Sequence, residues 1–257
     1  MPKTRVGAVS YLNTKPLIHG LRDSEQVQLV LDLPSRLADQ LAAGHLDVAL
    51  IPIAEFLRHP EYRILSTACI ACRGAVLSVK LYSRVPADQI ETLALDEGSR
   101  TSALMARMML AQRFGVEPLL MPLPIGEGLK DTDADATLLI GDRAIQTPND
   151  GYTFVWDLGA KWREWYSPSF TFAIWAATER CPDEVGELLN ASRDAGLQAL
   201  EQIAAQEAAM VGLTHHECLD YLRDRLHFVL GPEEHRAIEM FDRLTEPFRQ
   251  RATRTLQ

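Results

Sequence analysis

No run of about 18 apolar residues occurs in this 257-residue chain, which excludes a bilayer-spanning helix. Met1-Pro-Lys-Thr-Arg5 leads into a strand-like run rather than a signal-peptide core, so the expected location is the cytoplasm, with no membrane partner. Positive charge is also short: 26 Lys and Arg face 35 Asp and Glu, a net charge of -9. That balance excludes a general nucleic-acid binder, which needs a basic face for phosphates. Cysteine is scarce, at four residues. Cys69-Ile-Ala-Cys72 has CxxC spacing, but no second pair or His cluster completes a zinc site, so these thiols are expected as reduced, small core residues. Neither GxGxxG nor GxxxxGK[ST] occurs, Gly126-Glu-Gly128 lacks a third glycine, and there is no GxSxG or HExxH. The chemistry left open is that of a small polar acid handled without nucleotide, metal or covalent serine; no cofactor is expected.

At 47% hydrophobic and 24% charged residues, the chain can bury one large or two smaller cores. Its first third alternates strand and helix signals. Arg5 to Val9 reads as a buried strand and Val27 to Leu31 as a second. A helix runs from Pro34-Ser35 to a closing Gly44, and a further strand covers Leu46 to Ile51. A short helix over 53–57 and a strand over 62–71 follow. Such βαβ alternation predicts a largely parallel sheet covered by helices.

Two longer β-rich runs, Ala75 to Tyr82 and Phe170 to Ala176, flank a middle unit: a strand at Thr92 to Asp96, a loop at Glu97 to Ser102, a helix from Ala103 to Phe114 ended by Gly115, and a strand from Asp135. The last 80 or so residues are helical, with Thr214-His-His-Glu217 set as a capping box. We therefore expect an α/β clamp: residues 1–82 with 175–257 form one lobe and its helical tail, 83–174 a second, inserted lobe, and the two long runs cross between them. The ligand belongs in the cleft, with closure by hinge bending.

Polar residues gather where strands should end at that cleft. Ser10-Tyr11-Leu12-Asn13-Thr14 breaks the first strand into a polar turn, as a ligand-binding strand end or as a helix cap. Ser99-Arg100-Thr101-Ser102 precedes a helix, so its hydroxyls and free N–H groups suit a carboxylate at the helix's positive end; a plain N-cap is the other reading. Gly141-Asp142 ends a strand and fits either a turn or a cleft residue, and Trp156, Trp162, Trp165 and Tyr166 form either a ligand wall or core packing.

Five motifs occur in order: Val9-Ser-Tyr-Leu-Asn-Thr-Lys-Pro-Leu17, Gly44-His-Leu-Asp-Val-Ala-Leu-Ile-Pro52, Gly74 through Ser78-Val79, Asp96-Glu-Gly-Ser-Arg-Thr-Ser102, and Asp135 through Gly141-Asp142. Together they resemble the chorismate dehydratase family of the futalosine route to menaquinone, over nearly the whole chain up to about Trp175. A sister family of the same fold, acting later in that route, is similar but carries Ser-Pro-Cys-Pro-Asn-Asp at the first turn, which this chain lacks. The resemblance implies a type II periplasmic-binding-protein-like fold in a cytosolic lyase, with chorismate as small-molecule partner. It implies catalytic roles for Asn13 and Ser78, and a substrate-assisted dehydration in which chorismate's own enolpyruvyl carboxylate takes the proton. Ser10, Tyr11, Ser99, Arg100, Thr101, Ser102, Gly141 and Asp142 are the expected substrate contacts. A cytosolic solute-binding or ligand-sensing protein for a small carboxylate is the alternative, because the same clamp serves binding alone. The sequence leaves the oligomeric state open.

Overall fold

A computed structural model describes residues 3–250. In chain order it runs β1 (Thr4–Val9), β2 (Val27–Asp32), α1 (Pro34–Ala42), β3 (Val48–Pro52), α2 (Ile53–Phe56), β4 (Arg63–Cys72), β5 (Val79–Ser83), β6 (Thr92–Asp96), α3 (Thr101–Phe114) and β7 (Leu119–Leu123). It continues with β8 (Ala136–Ile140), α4 (Gly141–Gln146), β9 (Phe154–Asp157), α5 (Leu158–Trp165), β10 (Phe170–Ala177), α6 (Asp183–Gln198), α7 (Leu200–Glu207), α8 (His215–Asp220), β11 (Leu226–Val229) and α9 (Pro232–Gln250). Among the described residues no helix is long and apolar enough to cross a membrane.

The strands form two sheets, one of six strands in the order β11-β4-β10-β3-β1-β2 and one of five in the order β7-β6-β8-β5-β9. In the first, β1 pairs in parallel with β2 and β3, as the βαβ signals predict. The sheet is nonetheless mixed, because the returning β10 inserts antiparallel between β3 and β4. In the second, β6 is parallel to β7 and β8, while β5 runs antiparallel to β8 and β9. One buried cluster is continuous from Val6 and Val48 in the first sheet through Trp162 and Phe170 to Leu93 and Leu138 in the second. The lobes therefore share apolar packing behind the cleft.

The two long β runs do not cross from sheet to sheet. Val79–Ser83 pairs within the second sheet and Phe170–Ala177 within the first. The chain passes between sheets in the irregular segments just before them, 73–78 and 166–169. The physical reason is visible at Leu77, whose φ of 60° is left-handed and incompatible with a strand. The Asp157 carboxylate holds that bend by accepting from Val76 N–H (3.0 and 2.9 Å) and Leu77 N–H (2.6 Å). It also accepts from Ala160 N–H and so caps α5.

The tail is helical as expected. The Thr214–Glu217 capping box forms, and α9 starts at Pro232. The tail's first helical stretch is divided at Ala199 into α6 and α7. The four cysteines are free and buried; burial pushes the Cys72 thiol up to about 12, as suits an inert core residue.

Candidate active site

Between the sheets lies a cleft of about 530 Å³, part of it open to solvent, and eight of the ten residues singled out above line it: Tyr11, Asn13, Ser78, Ser99, Arg100, Thr101, Ser102 and Gly141. Ser10 and Asp142 do not. Ser10 is exposed, past the end of β1. Asp142 stands behind the wall, where its two carboxylate oxygens accept from Leu12 N–H at 3.1 and 3.3 Å and tie the Asn13 turn to the opposite lobe. Burial raises its pKa above the ordinary carboxylate value against the opposing pull of that N–H and of Lys15. The apolar remainder of the wall includes Pro34, Pro52, Ile70, Val76 and Phe172.

The Tyr11 turn is seated by absent side chains. The Tyr11 ring lies against Gly141, where an added Cβ would sit 2.8 to 2.9 Å from the ring, and its hydroxyl reaches Gly98, where a Cβ would sit 3.2 Å away. Gly141 also has φ 66°, which favours glycine. Beneath Tyr11, the buried Asp96 accepts from Gly98 N–H, Ile140 N–H and Arg143. Burial pushes the Tyr11 phenol well above its ordinary pKa, and the Asp96 charge adds to the effect. This hydroxyl is a neutral group at any physiological pH.

Asn13 is half-buried, and its Oδ1 accepts from the Thr14 hydroxyl at 3.3 Å. Ser78 is 2% exposed and follows the Leu77 bend; its carbonyl accepts from Gly141 N–H at 2.8 Å. Asn13 follows β1 of the first sheet and Ser78 immediately precedes β5 of the second, and the side chains of both neighbour the hydroxyl of Tyr221. The stacked aromatic candidates belong elsewhere: Trp162 packs on Phe170 and Phe241, and Trp156 and Trp165 pack on Phe114, so none walls the cleft.

At the start of α3, the four polar residues divide their work. Thr101 Oγ1 accepts from Ala54 N–H and donates to the Phe172 carbonyl, both at 3.2 Å. The Arg100 guanidinium reaches across to Asp39 (2.7 and 2.9 Å) and Glu55 (3.0 Å) in the other lobe. Its charge is thus spent on joining the lobes. Ser99 Oγ, by contrast, is buried with no hydrogen-bond partner among the described residues. An unpaired buried hydroxyl costs about 1–3 kcal/mol, and this one stands beside free N–H groups at the positive end of a helix. Such an arrangement suits a carboxylate or a similar anion. Among the described residues no group of three or more His, Cys, Asp or Glu is placed to hold a metal ion.

Sequence reasoning missed Asp157 and Tyr221. An Asp ahead of Leu158-Gly159 carried a readable N-cap signal. Tyr221 carried none, since it opens a π-helical turn over Tyr221–Arg225 in the tail.

Two mixed sheets with a ligand-sized cleft between them define the periplasmic-binding-protein-like class. The periplasmic aliphatic sulphonate binding protein of Escherichia coli shares the fold at a TM-score of 0.65 and 13% identity, over 98% of this chain and 88% of that one. A protein of Archaeoglobus fulgidus does so at 0.72 and 17%, over 96% and 98%. Within that class the chain belongs to the menaquinone biosynthesis family, which it matches over residues 4–247. A curated relative from Thermus thermophilus, a chorismate dehydratase, is 28% identical over 227 residues, 81% of this chain and 83% of that one.

Proposed function

We propose that this protein is a chorismate dehydratase, a lyase converting chorismate to 3-[(1-carboxyvinyl)oxy]benzoate and water in menaquinone biosynthesis by the futalosine route. The family membership and the Thermus thermophilus relative support the reading. The observation that carries it is that Asn13, after β1 of one sheet, and Ser78, before β5 of the other, line one cleft whose titratable lining groups are Tyr11 and Arg100. Neither is a base near neutrality. Tyr11 is held protonated by burial, and the hydrogen bond and charge of Asp39, with Glu55, raise Arg100 further against the opposing effect of burial.

The proton acceptor therefore comes with the substrate. The C–H at the ether-bearing ring carbon breaks toward the enolpyruvyl carboxylate, and its electron pair enters the ring. The neighbouring 4-hydroxyl departs with the C–O pair, and proton and hydroxide together make the water. Aromatisation drives the step. Ser78 O–H and Asn13 N–H stabilise charge on the leaving oxygen, and preorganised donors of this kind act most strongly where charge develops. Ser99 and Ser102, with the free N–H groups of α3, hold the ring carboxylate, while Tyr11 and Gly141 shape the opposite wall.

Incubation of the purified protein with chorismate, followed by chromatography of the aromatic enol ether, tests the reading. Asn13→Ala and Ser78→Ala are each expected to lower kcat by about 10²-fold or more. Near-normal turnover in both removes their assignment, and binding of chorismate without turnover favours a ligand-sensing protein instead.

A further inference from the structure

We infer that Tyr221 is a positioning residue for this reaction, its hydroxyl fixing from behind the cleft which way Ser78 and Asn13 present their hydrogen-bond donors. The inference rests on the dehydratase reading above.

Tyr221 is 1% exposed and is absent from the cleft lining. Its hydroxyl is buried with no hydrogen-bond partner among the described residues. Ser78 and Asn13 nevertheless approach it closely enough to favour its ionised form, against the dominant effect of burial, which raises its pKa. At neutral pH the group is therefore a phenol with one O–H to give. A native core leaves few such atoms unpaired, and each invites an explanation. The backbone adds a second irregularity: the helix begun by α8 widens into the π-helical turn Tyr221–Arg225. Such turns are rare and concentrate at functional sites.

Donor counting gives the group its task. A serine hydroxyl can give one proton and accept at its lone pairs. When Tyr221 gives its proton to Ser78 Oγ, the serine's own proton is left to point into the cleft. Asn13 Oδ1 already accepts from Thr14, so its amide N–H groups face other partners. Both side chains then meet the leaving hydroxyl as donors. Without the phenol, Ser78 is free to turn its proton backward and offer lone pairs to an oxygen that is gaining negative charge. The loose geometry in the free protein fits a contact that tightens only when ligand fills the cleft.

Tyr221→Phe removes one oxygen and leaves the packing. Because the hydroxyl is poorly paired in the free protein, the thermal midpoint should hold or rise, which a merely structural hydroxyl would not allow. We expect kcat to fall about tenfold with KM nearly unchanged, the size of one lost hydrogen bond. In Ser78→Ala or Asn13→Ala backgrounds, the same change should cost clearly less. Full turnover by Tyr221→Phe, or an undiminished loss in both backgrounds, overturns the proposal while leaving the dehydratase reading intact. Wild type that binds chorismate without turnover overturns that reading instead. The same cycle is then read in chorismate affinity by calorimetry, where a Tyr221→Phe effect that Ser78→Ala erases supports positioning and no effect refutes it. Wild type that fails to bind chorismate overturns both.

Discussion

Replacing Asp157 by Asn tests whether one carboxylate sets the crossing that delivers Ser78. The carboxylate accepts from Val76, Leu77 and Ala160 N–H, the shortest at 2.6 Å. Asn has the same shape but a single acceptor, so one of its faces meets backbone N–H groups with N–H of its own. A hydrogen bond to a charged group contributes about 1.5–3 kcal/mol, and one such loss with the weakening of a second gives about 3–4 kcal/mol. Release of Leu77 from its left-handed φ of 60° returns about 1–2 kcal/mol. The net loss of about 2 kcal/mol corresponds to a fall in Tm of about 4–8 °C for a chain of this size. Relaxation at Leu77 carries Ser78 with it, so kcat should approach that of Ser78→Ala, with chorismate affinity at the α3 end largely kept. Differential scanning calorimetry and steady-state kinetics read the two effects separately. Asp157→Asn with Tm within about 1 °C of wild type and kcat within about twofold would refute the clamp.

Two further predictions concern charge. Glu234 is fully buried on α9 and accepts from Ser169 at 2.8 Å and from Arg73 at 3.2 and 3.1 Å, so it ties both crossings to the tail. Burial pushes its pKa up, but the bonds from Ser169 and Arg73 outweigh that and hold it below the ordinary carboxylate value. A lowered folded-state pKa gives stability that is present above the unfolded value of about 4.3 and is lost as pH falls through the folded one. Glu234→Gln should cost about 1.5–3 kcal/mol at neutral pH, the size of a lost hydrogen bond to a charged group, and flatten the acid limb of a Tm-versus-pH curve; an unchanged acid limb would contradict the tie. For turnover, kcat should stay level between about pH 6 and 9, because neither titratable lining group changes state there. An inflection near the ordinary His value, absent without enzyme, would mean a protein-borne base and overturn the substrate-assisted route.

Much of the cleft was legible because its parts are local. The Asn13 turn follows a strand within a few residues, and the Ser99–Ser102 loop sits between a strand and a helix that both carry strong periodicity. What escaped was imposed from far along the chain. The run over 75–82 is rich in β-formers, yet Asp157, 81 residues beyond Val76, bends it before the strand can start. Arg100 read as an anion ligand until the fold brought Asp39 within 2.7 Å, 61 residues away. Asp142 fitted a cleft residue by position, but the packing turns it to Leu12 N–H. In each case local propensity was sound and a tertiary partner decided the outcome.

The spending of charge outside the cleft bears on the proposed chemistry. Asp96 is paired with Arg143, Arg100 with Asp39 and Glu55, and Lys15 with Glu207, so the cleft wall meets its ligand with hydroxyls, an amide and a helix end. A free arginine there would grip a dicarboxylate equally before and during reaction, which lowers KM without raising kcat. It would also pair with the enolpyruvyl carboxylate and depress its basicity, when that carboxylate must take a proton. A cleft that relies on the substrate's own base therefore has reason to keep cationic side chains engaged elsewhere. Arg100 meets that condition by bridging the lobes: it stands in the wall, close enough to hold the cleft together, with its charge already answered by Asp39 and Glu55.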